Sequence, residues 1–276
     1  MTYVTLMVHL TLGSSNAGVL QIAGDLAERF HANVIGIAAC QPIQVIYGDG
    51  EVAGDIVELD RQELEKEIKA AEAEFRSALH TRIGNLEWRS TVTLGPLSDY
   101  LAHEARSADL FISGVDLARS MFDASRHVNM SDLVMQVGRP TLVVPPSVGK
   151  LKFERVIVGW KETREARRAA LDALPFLKQA AHVAVVEIAD EKQLMTARTH
   201  LEDVVGWLKK HGIVAEAIAA PSSGDDAAHL NAIAREQGAD LIVAGAYGHS
   251  RLREWVLGGM TRELLLRADR CAFLSH

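Results

Sequence analysis

The chain has 276 residues, a length that favours one large domain or two small ones. Apolar residues make up 48% of it and charged residues 24%, which is ordinary for a globular protein and excludes disorder as the dominant state. The formal net charge of −7 argues against a dedicated DNA-binding protein, because such a protein needs a concentrated basic face. It leaves open a local site for a small phosphate ligand.

The first half of the chain alternates short apolar runs with helical patterns. Residues 3–10 and 33–39 are predicted strands, and apolar residues recur at helical spacing from Val19 to Phe30 between them. A long amphipathic helix follows around Leu64–Leu79. The remaining predicted elements of this half are strands at 86–94, 109–115 and 141–145 and helices at 98–106 and 131–137. Strands separated by helices predict a parallel sheet that is covered on both faces.

The same order then starts again, with predicted strands at 155–160, 183–188, 214–219, 241–245 and 271–274. Residues 108–110 match residues 239–241 at an offset of 131, and residues 32–34 match residues 181–183 at an offset of 149. The first half therefore holds 18 more residues between these anchors, and its loop and long helix after the second strand are the natural place for them. A repeat of this length predicts two copies of one domain, residues 1–148 and 149–276, with the boundary in the proline-containing segment 145–150.

The segment from Gly245 to Thr261 carries the strongest indication of function. Gly245 ends a predicted strand, Gly248 follows in the turn, and Gly258 and Gly259 precede a predicted helix. Glycines let a ligand approach the backbone closely, and the unpaired N–H groups at a helix start can hold phosphate oxygens. In an open doubly wound sheet, this loop also borders the crevice in which ligands bind. From spacing alone, a glycine-containing loop with a capped helix and no ligand is an equally good interpretation.

The spacing Gly245-x2-Gly248-x9-Gly258 resembles the ATP-binding motif of the universal stress protein family. The resemblance covers nearly the whole chain twice, so the sequence is similar to a tandem universal stress protein. It implies an α/β fold of two doubly wound five-stranded parallel-sheet domains of the nucleotide-binding type. It also implies that the final strands, 141–144 and 271–274, pack the halves as a pseudo-dimer. The implied ligand is ATP, with or without Mg²⁺, and the implied binding residues are Gly245, Gly248, Gly258, Gly259 and Thr261.

Two residues of the second half depart from the family pattern. Gly259 stands where the family has Ser or Thr, and Lys161 stands where the family has an acidic residue near the adenine or ribose. Lys161 belongs to a basic cluster with Arg164, Arg167 and Arg168. This cluster either attracts polyphosphate or is the solvated start of a helix, and the second interpretation is favoured because exposed charged residues are usual.

The first half departs further from the motif. At the offset of 131, Gly114 matches Gly245, but Leu117 replaces Gly248 and His127 replaces Gly258. Val128 and Met130 stand opposite Gly259 and Thr261, and Ser131 could replace the lost hydroxyl only if the loop shifts. Because bulky side chains obstruct close approach of a phosphate, the first half is predicted not to bind ATP in the family's manner.

Other candidate residues have simpler interpretations. His9 is expected to be a partly buried histidine without catalytic duty. Asp225 and Asp226 precede a helical pattern and are expected to cap it rather than to bind metal. Tyr47–Gly50 is expected to be a flexible loop. No catalytic or metal-binding motif is present in the sequence, so any ATP hydrolysis is expected to be slow.

The two cysteines, Cys40 and Cys271, form neither a CxxC pair nor a zinc-binding spacing. They fit two buried thiols in a reducing compartment better than a disulfide framework. The start of the chain lacks the features of a signal peptide, and no apolar run reaches the roughly 18 residues of a membrane helix. These features predict a cytoplasmic protein.

The predicted function is a stress-response regulator that binds an adenine nucleotide through its second half. The alternative is a nucleotide-free scaffold or interaction protein, and a weaker one is an enzyme or carrier that uses the altered first-half crevice for another small molecule. The expected partners are the nucleotide and an unidentified protein, with neither nucleic acid nor membrane among them. The sequence leaves open whether the chain also forms a homodimer.

Overall fold

The chain is built on a continuous sheet to which both halves contribute. The computed structural model describes residues 2–42, 53–115, 126–246 and 269–276. Within these ranges, the strands of the first half are β1 (Thr5–His9), β2 (Asn33–Cys40), β3 (Leu86–Val92), β4 (Leu110–Gly114) and β5 (Thr141–Val144). Its helices are α1 (Ala17–Phe30), α2 (Ala53–Leu79), α3 (Leu97–Glu104) and α4 (Met130–Gln136).

The second half repeats this arrangement. Its described strands are β6 (Arg155–Trp160), β7 (His182–Ala189), β8 (Ala215–Pro221), β9 (Leu241–Gly245) and β10 (Cys271–Ser275). Its described helices are α5 (Arg164–Asp172), α6 (Leu174–Leu177), α7 (Leu194–Lys210) and α8 (Asp226–Glu236). The ten predicted strands are therefore confirmed, each to within two residues at either end. Helix α2 has 27 residues, whereas its counterpart α7 has 17. Helix α2 therefore holds part of the extra length of the first half, as predicted.

The strand order is β3-β2-β1-β4-β5-β10-β9-β6-β7-β8, so each half has the same internal order. Neighbouring strands within each half are parallel, whereas β5 and β10 are antiparallel and join the halves. Thr141 lies opposite Leu274, and Val143 lies opposite Ala272. The predicted doubly wound fold and the pairing of the halves through their final strands are thus confirmed. The boundary at residues 145–150 lies in the connection between β5 and β6 and stays a prediction.

Apolar side chains cover both faces of the sheet, as expected for parallel strands that are buried on both sides. Helices α1, α2, α5 and α7 pack on one face, and α3, α4 and α8 pack on the other. On the first face, the ring of Phe176 lies 5.2 Å from that of Tyr3 and 5.4 Å from that of Phe273, between ring centroids. Since Tyr3 belongs to the first half and the other two to the second, the halves share this core.

The two cysteines are free and buried, as predicted. Burial raises the pKa of the Cys40 thiol to about 11 and that of Cys271 to about 12. Because the thiolate is the reactive form, these protonated thiols are unreactive at neutral pH.

Candidate functional site

The carboxyl ends of β6 and β9 meet at the centre of the second half. These strands are neighbours, and α5 follows β6 on one face of the sheet while α8 precedes β9 on the other. Such a switch point is where ligands bind in doubly wound sheets. Of the five predicted binding residues, Gly245 lies at this point. Gly248, Gly258, Gly259 and Thr261 lie outside the described residues, so their contact with a ligand stays a prediction.

Gly245 lets β9 approach the start of α5 closely. A Cβ atom at this position would lie 2.5 Å from the backbone nitrogen of Ala166 and 2.6 Å from the carbonyl carbon of Glu165. At the corresponding Gly114, the nearest atom would be the Cγ2 of Val19, at 3.3 Å. The second half therefore requires a glycine here for helix packing, whether or not a phosphate also contacts its backbone.

Each member of the predicted basic cluster has a carboxylate partner. The pairs are Lys161 with Asp226, Arg164 with Glu165, Arg167 with Glu162 and Arg168 with Asp172. The Lys161 side chain is 45% exposed, and its Nζ lies 3.0 Å from Asp226 Oδ2. The exposure and pairing of these side chains agree with the solvated interpretation, and their positive charge is locally neutralised.

Asp225 and Asp226 organise the start of α8, as predicted. Asp225 Oδ1 accepts a hydrogen bond from the backbone nitrogen of Ala228 at 3.0 Å. Asp226 accepts hydrogen bonds from Ser222 Oγ at 2.6 Å and from Lys161 Nζ. Burial alone would raise the pKa of Asp226, but these two hydrogen bonds and the positive charge nearby together outweigh it, so the pKa is lowered. Asp226 is therefore a charged carboxylate beside Lys161. Lys161 follows β6, the neighbour of β9, and β9 ends at Gly245.

Trp160, Glu187 and His200 form a cluster that sequence reasoning missed, here called the polar cluster. Trp160 and Glu187 are register partners on β6 and β7. The preceding partners, Val158 and Val185, belong to the core that α7 covers, so the alternation of side chains places Trp160 and Glu187 on the same face. His200 lies on α7. Trp160 Nε1, Glu187 Oε2 and His200 Nδ1 are buried and have no hydrogen-bond partner in the described part of the chain.

Charged side chains on neighbouring elements act on Glu187. Burial raises the pKa of Glu187, the charge of His200 lowers it, the carboxylate of Glu162 raises it, and the charge of Lys161 lowers it. The net effect is a raised pKa. The signal that could have revealed this site is the single charged residue inside the apolar strand sequence of residues 182–189.

The corresponding positions of the first half are apolar. Leu6 pairs with Leu110 as Val156 pairs with Leu241, so Leu10 corresponds to Trp160. By the offset of 149, Ala38 corresponds to Glu187. Leu10 and Ala38 are both fully buried.

Other residues close the first-half crevice further. Val128 and Met130, the counterparts of Gly259 and Thr261, are buried in the core. Arg126 Nε lies 2.7 Å from Glu67 Oε2 on α2. His9 is buried, and its Nδ1 lies 3.0 Å from Ser113 Oγ. These contacts agree with the predicted loss of the family's site in this half, and Leu117 lies outside the described residues.

Two searches of the described residues concern other kinds of site. They contain no group of three or more His, Cys, Asp or Glu residues that could hold a metal ion. None of the described helices is long and apolar enough to cross a membrane. Residues 47–50, expected to be a flexible loop, lie outside the described ranges.

The structure is similar over its whole length to solved structures. A universal stress protein from Archaeoglobus fulgidus DSM 4304 matches with a TM-score of 0.72 and 14% identity, covering 98% of this chain and 97% of that one. A protein of unknown function from Pseudomonas aeruginosa PAO1 matches with a TM-score of 0.62 and 12% identity, covering 99% and 92%. A candidate universal stress protein from Pseudomonas aeruginosa UCBPP-PA14 matches with a TM-score of 0.61 and 12% identity, covering 99% and 93%. No family model matches the sequence, and neither does any curated protein.

Proposed function

We propose that this chain, whose fold is that of the universal stress proteins, is a cytoplasmic stress-response regulator that binds ATP through its second half. The observation that carries the proposal is the difference between the two halves at the carboxyl ends of their central strands. The second half combines the glycine motif with polar groups at the ends of β6 and β7. In the first half, the equivalent positions hold buried apolar side chains. One nucleotide per chain follows from this difference.

In this proposal, the nucleotide is held rather than rapidly turned over. Gly245, Gly248, Gly258 and Gly259 would contact the phosphates through backbone N–H groups, and Thr261 through its hydroxyl. Backbone N–H groups at a helix start suit anions, and Mg²⁺ would accompany the phosphates. We assign no catalytic residue, and we expect any hydrolysis to be slow.

The test is calorimetric titration of the ligand-free protein with Mg-ATP. We expect one site per chain in the natural sequence and loss of the binding heat in Gly248→Leu, because the added side chain blocks the backbone. Gly84→Leu is the matched control, since a side chain at this exposed turn meets no atom within 4 Å. Two equivalent sites would contradict the assignment to the second half.

A nucleotide-free scaffold is the second candidate function. The observation that favours it is the ion pair of Lys161 with Asp226. The Lys161 ammonium directly follows β6, and in this pair it already binds a carboxylate. The same titration separates the two candidates. No binding heat, together with no ATP-dependent shift of the unfolding temperature, would support the scaffold.

A further inference from the structure

We propose that a groove at the amino ends of β6, β7 and β8 binds a free cationic amino acid such as arginine. The groove has a volume of about 270 Å³, and Arg155, His182, Glu216 and Gln237 contribute the polar groups of its lining. It lies at the end of the sheet opposite to Gly245, which ends β9 at the carboxyl edge. The proposal therefore goes beyond ATP binding and does not depend on it.

The strand register places three ionisable side chains on one face around this groove. Arg155 on β6 is the partner of His182 on β7, and Glu216 on β8 is the partner of Ala184, two residues further along β7. Ala184 belongs to the apolar cluster that α8 covers, so the alternation of side chains puts all three residues on the α8 side. Strand spacing and rise put the Cα atoms of Arg155 and Glu216 about 12 Å apart. The groove therefore has a cationic end and an anionic end.

The charges of the groove are not neutralised from within the part of the chain that the structure describes. Arg155, His182 and Glu216 are exposed, and their side chains have no hydrogen-bond or ion-pair partner in that part. A single exposed charge is ordinary on a protein surface. Here opposite charges line one groove without pairing with each other, so a molecule that carries both charges can bridge them.

The first half neutralises the corresponding carboxylate with its own arginine. By the register of the edge strands and the offset of 149, Glu87 on β3 corresponds to Glu216 on β8. Arg89 Nε lies 2.7 Å from Glu87 Oε1, and Arg89 Nη1 lies 2.7 Å from Glu104 Oε2 on α3. A guanidinium group thus occupies this place in the first half.

The second half lacks this guanidinium. Ile218 takes the position of Arg89 and packs against the apolar cluster that α8 covers. Glu216 therefore has no cation two residues further along its own strand. A ligand that carries a guanidinium or ammonium group would supply the missing partner.

The second half has also gained basic side chains on the other side of the groove. Arg155 and His182 stand where the first half has the uncharged pair Thr5 and Asn33. The fold does not require basic residues at these positions, since the first half forms the same strand pair without them. Their presence adds a place for a carboxylate to the place for a cation.

The lining of the groove complements the parts of a basic amino acid. Glu216 can accept two hydrogen bonds from a guanidinium group, and Arg155 can donate two to a carboxylate. His182 can donate a further hydrogen bond to that carboxylate, and the amide oxygen of Gln237 can accept one from the α-ammonium group. Val214 lines the groove and is 87% exposed, so the aliphatic stem of the ligand would cover it. The volume is slightly below the roughly 300–1,000 Å³ of clefts for drug-sized ligands, which suits a smaller molecule.

The experiment is calorimetric titration of the full chain with L-arginine at constant ionic strength. Agmatine, which lacks the carboxylate, and L-citrulline, which lacks the side-chain charge, are titrated beside it. We expect one saturable site for L-arginine and about tenfold or more weaker binding of both analogues, the ratio that one lost hydrogen bond to a charged group gives.

Two variants assign the two ends of the ligand. Glu216→Gln should weaken L-arginine about tenfold and leave L-citrulline nearly unchanged, because both then lack a charged partner for the side chain. Arg155→Met should likewise weaken L-arginine and leave agmatine nearly unchanged. Glu202→Gln is the matched control, because Glu202 lies exposed on α7 outside the groove and its change should leave all three affinities unaltered.

The outcomes separate this proposal from the proposed function. Equal affinities for L-arginine and agmatine would show a site for cations alone and overturn the proposal. So would L-arginine binding that neither variant weakens, or the absence of saturable binding. The titration with Mg-ATP should give the same result in both variants as in the natural sequence, so either proposal can fail without the other. Unfolding temperatures, measured in parallel, show that each variant is folded.

Discussion

The two halves of the sheet share a strand order but differ where their central strands end. In the first half, Leu10 and Ala38 are buried against α1 and α2, and the loop before α1 is tied to α2 by Asn16 and Glu74. In the second half, the same two strand positions hold Trp160 and Glu187, whose Nε1 and Oε2 atoms lack partners in the described residues. The comparison shows that the fold tolerates buried apolar side chains at this end of the sheet. Leaving it polar is therefore a property of the second half alone.

The largest expected effect comes from placing a carboxylate in the first half, at the position that corresponds to Glu187. Ala38→Glu would place a carboxylate where the residue is fully buried, and an uncompensated buried charge costs about 3–5 kcal/mol. Ala38→Gln adds the same volume without the charge and should cost less at pH 7. Urea unfolding at pH 7 and pH 5 measures both. Because burial raises the pKa of a carboxyl, the gap between the two variants should narrow at the lower pH. An equal loss of stability in both variants at both pH values would show that the added volume, not the buried charge, destabilises the first half.

The glycines at the ends of β4 and β9 give the next largest contrast. Gly245→Ala forces its Cβ against the backbone of α5 and should cost about 1–3 kcal/mol by overpacking. In Gly114→Ala, the added Cβ meets the end of the Val19 side chain at 3.3 Å and the carbonyl oxygen of Val144 at an ordinary 3.9 Å, so its cost should stay below about 1 kcal/mol. Thermal unfolding of the two variants decides this. Similar small losses would show that α5 can move away from β9.

The ion pairs at the two strand ends should also differ. Arg126 and Glu67 in the first half are 20% and 19% exposed, whereas Lys161 and Asp226 are 45% and 28% exposed. Arg126→Met should cost about 1–2 kcal/mol, because it leaves the carboxylate of Glu67 partly buried without this partner. Lys161→Met should cost less than about 1 kcal/mol, and less still in high salt, because exposed pairs are screened. Urea unfolding at low and high salt measures both, and equal costs would contradict the difference in burial.

The pairing of β5 with β10 was predicted from the family resemblance, whereas hydrophobic periodicity was sufficient to predict the strands and their order in two repeats. Those features depend on local patterns, such as the apolar run of β9, and on the match between the halves. The role of Gly245 in packing was not predictable, because it depends on how closely α5 crosses the end of β9. A pattern of glycines reports only that the backbone needs freedom or space.

The polar cluster was missed for a related reason. Glu187 and His200 are far from Trp160 in sequence, and only the register of β7 beside β6 and the packing of α7 bring them together. The ion partner of Lys161 was equally hidden, since Lys161 meets Asp226 across 65 residues. Side-chain chemistry that is assembled across elements requires the tertiary structure.

The smallest expected effect is a gain in stability when the polar cluster loses its charge. Burial raises the pKa of Glu187, so the folded chain holds this proton more tightly than the unfolded chain does. The stability contribution of Glu187 therefore falls as pH rises above the unfolded pKa of about 4.3 and through the raised folded pKa. Without ligand, Glu187→Gln should be more stable at pH 7 by no more than about 1 kcal/mol, and equally stable at a pH below both values.

Urea unfolding of the ligand-free proteins across this pH range measures the effect. The pKa of Asp172 is also raised by burial, but this residue is present in both proteins and its contribution cancels. Glu202→Gln, exposed on the same helix, should show no such pH dependence. A gain of the same size at every pH would show that the carboxylate is not held in an unfavourable environment. The Glu187 carboxylate would then cost the second half no stability relative to the apolar residue at the corresponding position of the first half.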